Sequence, residues 1–222
     1  MELKLINRTL FAPGHTRAEE LFVPEEYPWQ ILDKIETWIL QTGPTLSKEE
    51  FSHPAPGQWI ARDASIAPAA VIEGPCIIDR GAQLRPGAYL RGKVLVGRNC
   101  VVGNSTEVKN ALLFDQVQVP HFNYVGDSIL GYRSHLGAGA VTSNVKSDRS
   151  QVTVSLGSTK LNLGRIKAGA FLGDGTEVGC NSVLCPGTIL GQNTTVYPLS
   201  CVRGYIPENS IYKDAEHIVI KE

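Results

Sequence analysis

Beginning at Ile60, an apolar residue stands at every sixth position ten times running: Ile60, Ile66, Ile72, Ile78, Leu84, Leu90, Val96, Val102, Val108 and Phe114. Neither a helical period of 3.6 nor strict alternation produces that spacing. A fixed six-residue repeat is the mark of a parallel β-helix, in which each hexad forms one short side of a coil. Four residues after the first nine positions stand Ala64, Ala70, Cys76, Ala82, Ala88, Val94, Cys100, Thr106 and Leu112, small or compact side chains that let a corner close. The rhythm returns as Leu172, Val178, Leu184, Leu190, Val196 and Val202. Between the two blocks, Val125, Ile129, Leu130 and Leu136 slip from the first frame, which implies corners tightened by a residue. Roughly twenty hexads make about six to seven coils, and at ~4.8 Å per coil the prism stands roughly 30 Å tall.

Stacking then makes residues eighteen apart into neighbours. Ile60, Ile78, Val96 and Phe114 are expected in one inward column, Ile66, Leu84 and Val102 in a second, and Ile72, Leu90 and Val108 in a third. Each such side chain contributes ~1.5–3 kcal/mol when fully buried.

A chain of 222 residues suits one domain with a small appendage. Charged residues make up 19% and the formal net charge is −1, so nothing suggests nucleic acid or a membrane surface as partner. The start, MELKLINRTLF, lacks the apolar run of a signal peptide, and no segment could span a bilayer, so a cytoplasmic, reduced protein is expected. Five cysteines without paired spacing offer no CxxC zinc site, and Cys76 and Cys100 read as small inward hydrophobes.

Residues 1–59 do not repeat. A helix is expected over Pro28 to Gln41, with Ile31, Leu32, Ile35, Trp38 and Ile39 on one face and Thr42-Gly43-Pro44 ending it. A short second helix is expected from Ser47, with Glu50 completing a capping box. This segment is either a cap on the open first coil or an element that binds a partner. The prism covers 60–210, and the tail, 211–222, ends in an apolar Ile218-Val219-Ile220 that pairs along an edge or swaps to a neighbour.

The hexads stop over 142–171. There Gln151 to Leu156 alternates, Gly157-Ser158 suits a turn, and Leu161-Asn162-Leu163 follows, which reads as a hairpin lifted off the prism. Loops of this length inside a compact domain are usually functional or disordered, and the alternation argues for order.

Around that break the motifs become specific. LRPG (84–87), EVKN (107–110), PHFNYVGD (120–127) and GAGAVTSN (137–144) occur in this order. Over residues 60–210 the chain resembles the acetyltransferase domain of the bifunctional glucosamine-1-phosphate acetyltransferase / N-acetylglucosamine-1-phosphate uridylyltransferase. It resembles still more the archaeal sugar-1-phosphate nucleotidylyltransferase branch that carries the same domain. The resemblance implies a mainly β fold, a left-handed parallel β-helix with a small α-helical N-terminal cap. It further implies a homotrimer with active sites between subunits, and acetyl-CoA as donor to an amino-sugar phosphate, with no metal. It makes His121 the general base, Tyr124 a sugar contact, Lys109 a phosphate contact and Asn144 a contact near the reacting nitrogen. Ala138 would line the groove for the pantetheine arm. A neutral imidazole can take a proton as an amine attacks a thioester.

The chain also departs from that pattern. His135 and Val145 stand where the family often has Asn and Tyr, so His135 is either a second polar contact or a surface residue. The family spaces its LRPG arginine one hexad closer to the lysine, so Arg85 turns onto another side of the prism. Arg91, eighteen before Lys109, would instead stack beneath it. Arg91 and Lys109 then make either a cation pair for phosphate or part of a ladder Glu73–Arg91–Lys109 neutralised by its acid. The first 59 residues are too few for a nucleotide-binding α/β domain and hold no glycine-rich phosphate loop, so uridylyl transfer is not expected.

Three functions compete. The first is an acyl-CoA-dependent N-acyltransferase. The second is a non-catalytic trimeric β-helix that binds a sugar phosphate or sugar nucleotide. The third is a β-helical zinc hydrolyase, which would need three converging histidines among His15, His53, His121, His135 and His217.

Overall fold

The structure is a computed structural model, described here for residues 6–156 and 159–221. Short parallel strands stack into a three-sided prism. One inward column runs Ile60, Ile78, Val96, Leu113, Leu130, Leu172, Leu190 and Ile206, so the stack is eight levels high at this face, one more than the hexad count suggests. A second column begins Ile66, Leu84, Val102, Val119, and a third Ile72, Leu90, Val108, Val125. Every column residue above the first coil is buried, and the hydroxyls of Thr188 and Thr194 at compact corners donate to carbonyls of Val202 and Pro207 on the next coil.

Two expected positions are corrected. Leu113, not Phe114, stands over Val96, and Ala111, not Leu112, takes the compact position over Val94. The earlier coil turns its corner with two left-handed residues, Gly92 and Lys93, at φ 77° and 57°. The next two coils use one each, Asn110 at 46° and Asp127 at 48°, so each is seventeen residues long. That lost residue rotates Phe114 outward.

One face is unlike the other two. Its outward row reads Trp59, Ile77, Leu95, Leu112, Ile129, Phe171, Ile189 and Tyr205, and Ile77 to Ile189 are fully buried. The N-terminal segment covers it. Ile31, Leu32, Ile35, Trp38 and Ile39 are buried as their spacing predicts, and Trp29 meets Phe171 edge-on at 5.9 Å. The α-helix is shorter than expected, Ile35–Thr42, because Pro28–Gln30 forms a 3-10 turn and i to i+3 bonds carry the chain to Lys34. Farther along, Phe11 and Phe22 pack on Phe114 at 5.0 and 5.2 Å, Asp115 N donates to His15 O, and Asp174 accepts from Ala12 N.

The segment thus runs along the flank, and only Phe51–Ser52, antiparallel to Gln58–Ala61, covers the edge of the first coil. The helix expected at Ser47 is a single turn: Glu50 N and Phe51 N both donate to Ser47 O before the chain enters that strand. At the other end Ile218–Ile220 pairs antiparallel with Ser210–Tyr212 of the same chain.

The insert is a hairpin, Thr153–Leu156 against Thr159–Asn162; the Gly157-Ser158 turn lies outside the described residues. Val152 and Val154 are buried against Gly187, where a Cβ would come within 2.8 Å of Val152. Arg165 ties the insert to the N-terminal segment through Trp29 O and Asp33, both at 3.0 Å. Among the described residues no helix is long and apolar enough to cross a membrane.

Candidate functional site

The corner between the two uncovered faces turns through left-handed residues at six successive levels: Gly87, Ser105, Phe122, Gly139, Asn181 and Leu199. His121 ends the strand Gln118–His121, pairs with Asn104 below, and its carbonyl accepts from Gly139 N above. Ala138 O in turn accepts from Asn181 N. His121 and Ala138 therefore lie on consecutive levels of one exposed corner. Phe122, 61% exposed at φ 53°, projects from it.

The imidazole's backbone is held by a residue that motif reading passed over. Asn123 is 3% exposed; its Oδ1 accepts from His121 N at 3.1 Å, while its Nδ2 donates to Gly137 O and Ala140 O at 2.8 and 3.0 Å. One amide fastens the corner of His121 to the coil carrying Ala138.

Past the corner, Tyr124 begins the next strand and stacks on Glu107. Its hydroxyl accepts from Asn144 Nδ2 at 3.2 Å, and the same nitrogen donates to Asp127 Oδ2 at 2.6 Å. Asn110 Nδ2 donates to Asp127 Oδ1 at 2.8 Å. Glycine at 126 makes room, since a Cβ there would lie 2.5 Å from Tyr124 Oη and 2.9 Å from Asn144 Nδ2. Burial pushes the Tyr124 phenol above its ordinary pKa, the Asn144 bond works against the rise, and the Asp127 charge adds to it. Asn144 also closes the base of the insert, where its carbonyl accepts from Ala168 N and Val145 bridges to Lys167.

The other expected residues fall as follows. Lys109 stands beside Gly126 on the Tyr124 face, in no ion pair among the described residues. Arg91 pairs with Glu107 at 2.6 Å, an acid outside the expected ladder, which holds the guanidinium above its usual pKa. Glu73, the acid expected there, accepts from the Tyr89 hydroxyl at 2.8 Å instead, although its backbone is in register with Arg91. Arg85 is exposed at the end of the neighbouring face, two coils below His121, with its N–H bonded to Val102 O. His135 also lies on that face, its Nδ1 2.7 Å from Glu177 Oε2, away from Tyr124 and Asn144.

The structure thus joins Tyr124 to Asn144, stacks Ala138 above His121, keeps Arg91 on the Tyr124 face tied to Glu107 beneath the tyrosine, and leaves Arg85 and His135 on the neighbouring face. Asn110 and Asp127 are the members that the motifs did not single out. Their signal was present: Asn110, Asp127 and Asn144 are seventeen apart, one short coil each. The remaining histidines are dispersed: His15 stacks on Tyr132, His53 stacks on Trp59, and His217 Nδ1 lies 2.7 Å from Asp214 Oδ1. Among the described residues no three His, Cys, Asp or Glu side chains converge as a metal site would require.

Residues 71–218 match the profile of the GMPPB C-terminal domain, which is more than half of the chain. The chain belongs to the GMPPB C-terminal domain family. Among relatives of this family member, the bifunctional sugar-1-phosphate nucleotidylyltransferase/acetyltransferase of Sulfurisphaera tokodaii is 30% identical over 190 residues, 84% of this chain and 47% of that protein. Bifunctional protein GlmU of Methanococcus aeolicus is 32% identical over 212 residues, 87% of this chain and 47% of that protein. The chain spans about half the length of these curated relatives. A fainter likeness is to the acetyltransferase domain of PglB from Neisseria gonorrhoeae in complex with acetyl coenzyme A. It has 16% identity and a TM-score of 0.34, covering 73% of this chain and 56% of that one. The resemblance read from LRPG, EVKN, PHFNYVGD and GAGAVTSN is thus to the β-helical acetyltransferase part of the bifunctional relatives.

Proposed function

We propose that this member of the GMPPB C-terminal domain family is an acyl-CoA-dependent N-acyltransferase, with acetyl-CoA as donor and an amino sugar or its phosphate as acceptor. The observation that carries the reading is the exposed His121, clamped by Asn123 directly beneath Ala138 and one corner away from the bonded pair Tyr124 and Asn144. The acceptor amine enters neutral and attacks the thioester carbonyl. The C–N bond forms, His121 takes the amine proton, the C–S bond breaks, and CoA leaves as a thiol once protonated. Most of the rate comes from holding thioester and amine together, and proton removal adds ~10²–10⁴-fold. Ala138, with its small side chain, leaves the corner open to the pantetheine arm, and Lys109 meets the acceptor phosphate. A homotrimer completes the cleft, in the cytoplasm.

The test is release of free CoA from acetyl-CoA across a panel of amino sugars that includes glucosamine-1-phosphate, with the oligomeric state measured alongside. His121→Ala is expected to abolish release and keep the assembly. No turnover across the panel by a trimeric protein overturns the proposal.

A second reading is a sugar-phosphate or sugar-nucleotide binding module without chemistry. It is favoured by His135, tied to Glu177 rather than offered to a ligand, and by Arg91, tied to Glu107. Calorimetric binding of a sugar nucleotide with no dependence on CoA, in a protein without turnover, supports it.

A further inference from the structure

Asn110, Asp127 and Asn144 form a stacked polar row in the wall of the prism. Asp127 is 4% exposed, and among the described residues no cation pairs with it; two amide nitrogens hold its carboxylate. A carboxylate offers only acceptors, so each flanking asparagine must turn its NH2 inward and its oxygen away. For Asn110 that leaves Oδ1 buried without a partner, a cost accepted in keeping the orientation. For Asn144 the NH2 serves Asp127 Oδ2 and Tyr124 Oη, which leaves Oδ1 as an acceptor. Tyr124 Oη, having received that hydrogen bond, keeps its own proton to donate.

We infer that Asp127 is a positioning residue that fixes the hydrogen-bond polarity of the acceptor pocket and selects a primary amine over a hydroxyl as nucleophile. The inference rests on the proposed function, which sets Asn144 beside the reacting nitrogen. A neutral primary amine has a lone pair and two N–H bonds: one proton goes to His121 and the other N–H meets Asn144 Oδ1. A hydroxyl has a single O–H. Once His121 engages it, Asn144 Oδ1 is left without that partner, and a site built to hydrogen-bond a substrate group discriminates strongly against one that lacks it.

Asp127→Asn is nearly isosteric but offers one donor and one acceptor, so Asn144 is free to turn either way. The first readout needs no substrate: hydrogen exchange of the Asn144 side-chain amide by NMR in selectively labelled protein. Exchange is expected to be slow in the parent and at least about ten-fold faster in the variant, with oligomeric state and Tm confirming the fold. The second is the ratio of kcat/KM for matched amino and hydroxyl acceptors. It is expected to fall about ten-fold or more while KM for acetyl-CoA stays unchanged.

Equal exchange in the two folded proteins overturns the role of Asp127. Altered exchange with an unaltered acceptor ratio overturns the selectivity. If the parent acylates nothing, it is the proposed function that fails, and the exchange arm still decides whether Asp127 grips Asn144. Should Asp127→Asn not fold, Tyr124→Phe keeps the Asp127–Asn144 bond, and loss of Asn144 protection there overturns the role equally.

Discussion

Arg17 grips Asp79 with both prongs of its guanidinium, Nε to Oδ2 at 2.8 Å and Nη2 to Oδ1 at 2.9 Å, and the Asp79 side chain is only 1% exposed. The bond lifts the arginine above its usual pKa. It also fastens the N-terminal segment to the second coil.

Removing Arg17 leaves the buried Asp79 carboxylate, among the described residues, with only Arg80 N at 2.8 Å and Arg98 Nε at 4.0 Å. Arg17→Ala is expected to lower stability by about 3 kcal/mol or more in denaturant unfolding, since a broken buried pair costs more than the intact pair contributes. The double replacement Arg17→Met with Asp79→Asn is expected to cost less than Arg17→Ala alone. If the double variant is the less stable of the two, the charge is not what the pair manages.

Phe114→Ala removes a side chain that is 1% exposed between Phe11 and Phe22. Truncations of this size cost about 3–5 kcal/mol. The loss is expected to be local: hydrogen exchange should rise at residues 6–22 and stay slow in the column strands around Val96 and Leu113.

That position also shows where sequence reading stops. The hexads give the stack, and the columns through Ile78, Leu84 and Leu90 follow directly. The seventeen-residue coils are invisible to a six-residue frame, because one left-handed Asn110 does the work of Gly92 and Lys93. Phe114 therefore looks like a column residue when it is part of the cover. The cover was legible in principle, since Ile77, Leu95, Ile129, Phe171 and Ile189 make one outward row apolar where the row through Gln83, Gln118, His135 and Glu177 on another face is polar at these positions. Of the site, His121, Tyr124 and Asn144 were legible as motif members. Their fastener Asn123 was not, because an amide satisfied across coils leaves no local pattern, and the seventeen-residue spacing that marks Asp127 does not register in a six-residue frame.

The thiols are expected to divide by position. Burial pushes Cys76 up to about 12 and raises Cys100 as well, whereas Cys180 and Cys201 are exposed. At pH 8 the Cys76 thiolate fraction is then about one in ten thousand. Alkylation of the native protein followed by mass spectrometry should label Cys180 and Cys201 and spare Cys76 and Cys100. Labelling of the buried pair under folded conditions contradicts the inward columns.

Tyr124 sets an alkaline limit. Its phenol is raised chiefly by burial, so the folded state favours the neutral form. The associated stability is complete below the unfolded tyrosine value, roughly 10, and is lost as pH rises through the higher folded value. Tyr124→Phe is expected to flatten the decline of stability above that point. Asp127→Asn is expected to lower the Tyr124 pKa, read as the difference in tyrosinate absorbance from the Tyr124→Phe protein.

Asn123 offers the sharpest test of how the corner is held. Asn123→Asp keeps an acceptor for His121 N but sets an anion against Gly137 O and Ala140 O, which lose the amide donor they share, Gly137 O keeping its bond from Ala140 N. The new carboxyl is disfavoured as a charge, so its folded pKa lies above the unfolded value. Stability of the variant should therefore be least at neutral pH and recover as pH falls through that raised value, the opposite of ordinary acid denaturation. Asn123→Ala, with no group to titrate, should lose about 1–3 kcal/mol for the buried hydrogen bonds removed and show no such recovery. If the two variants share one pH profile, the amide is not the clamp on the corner of His121.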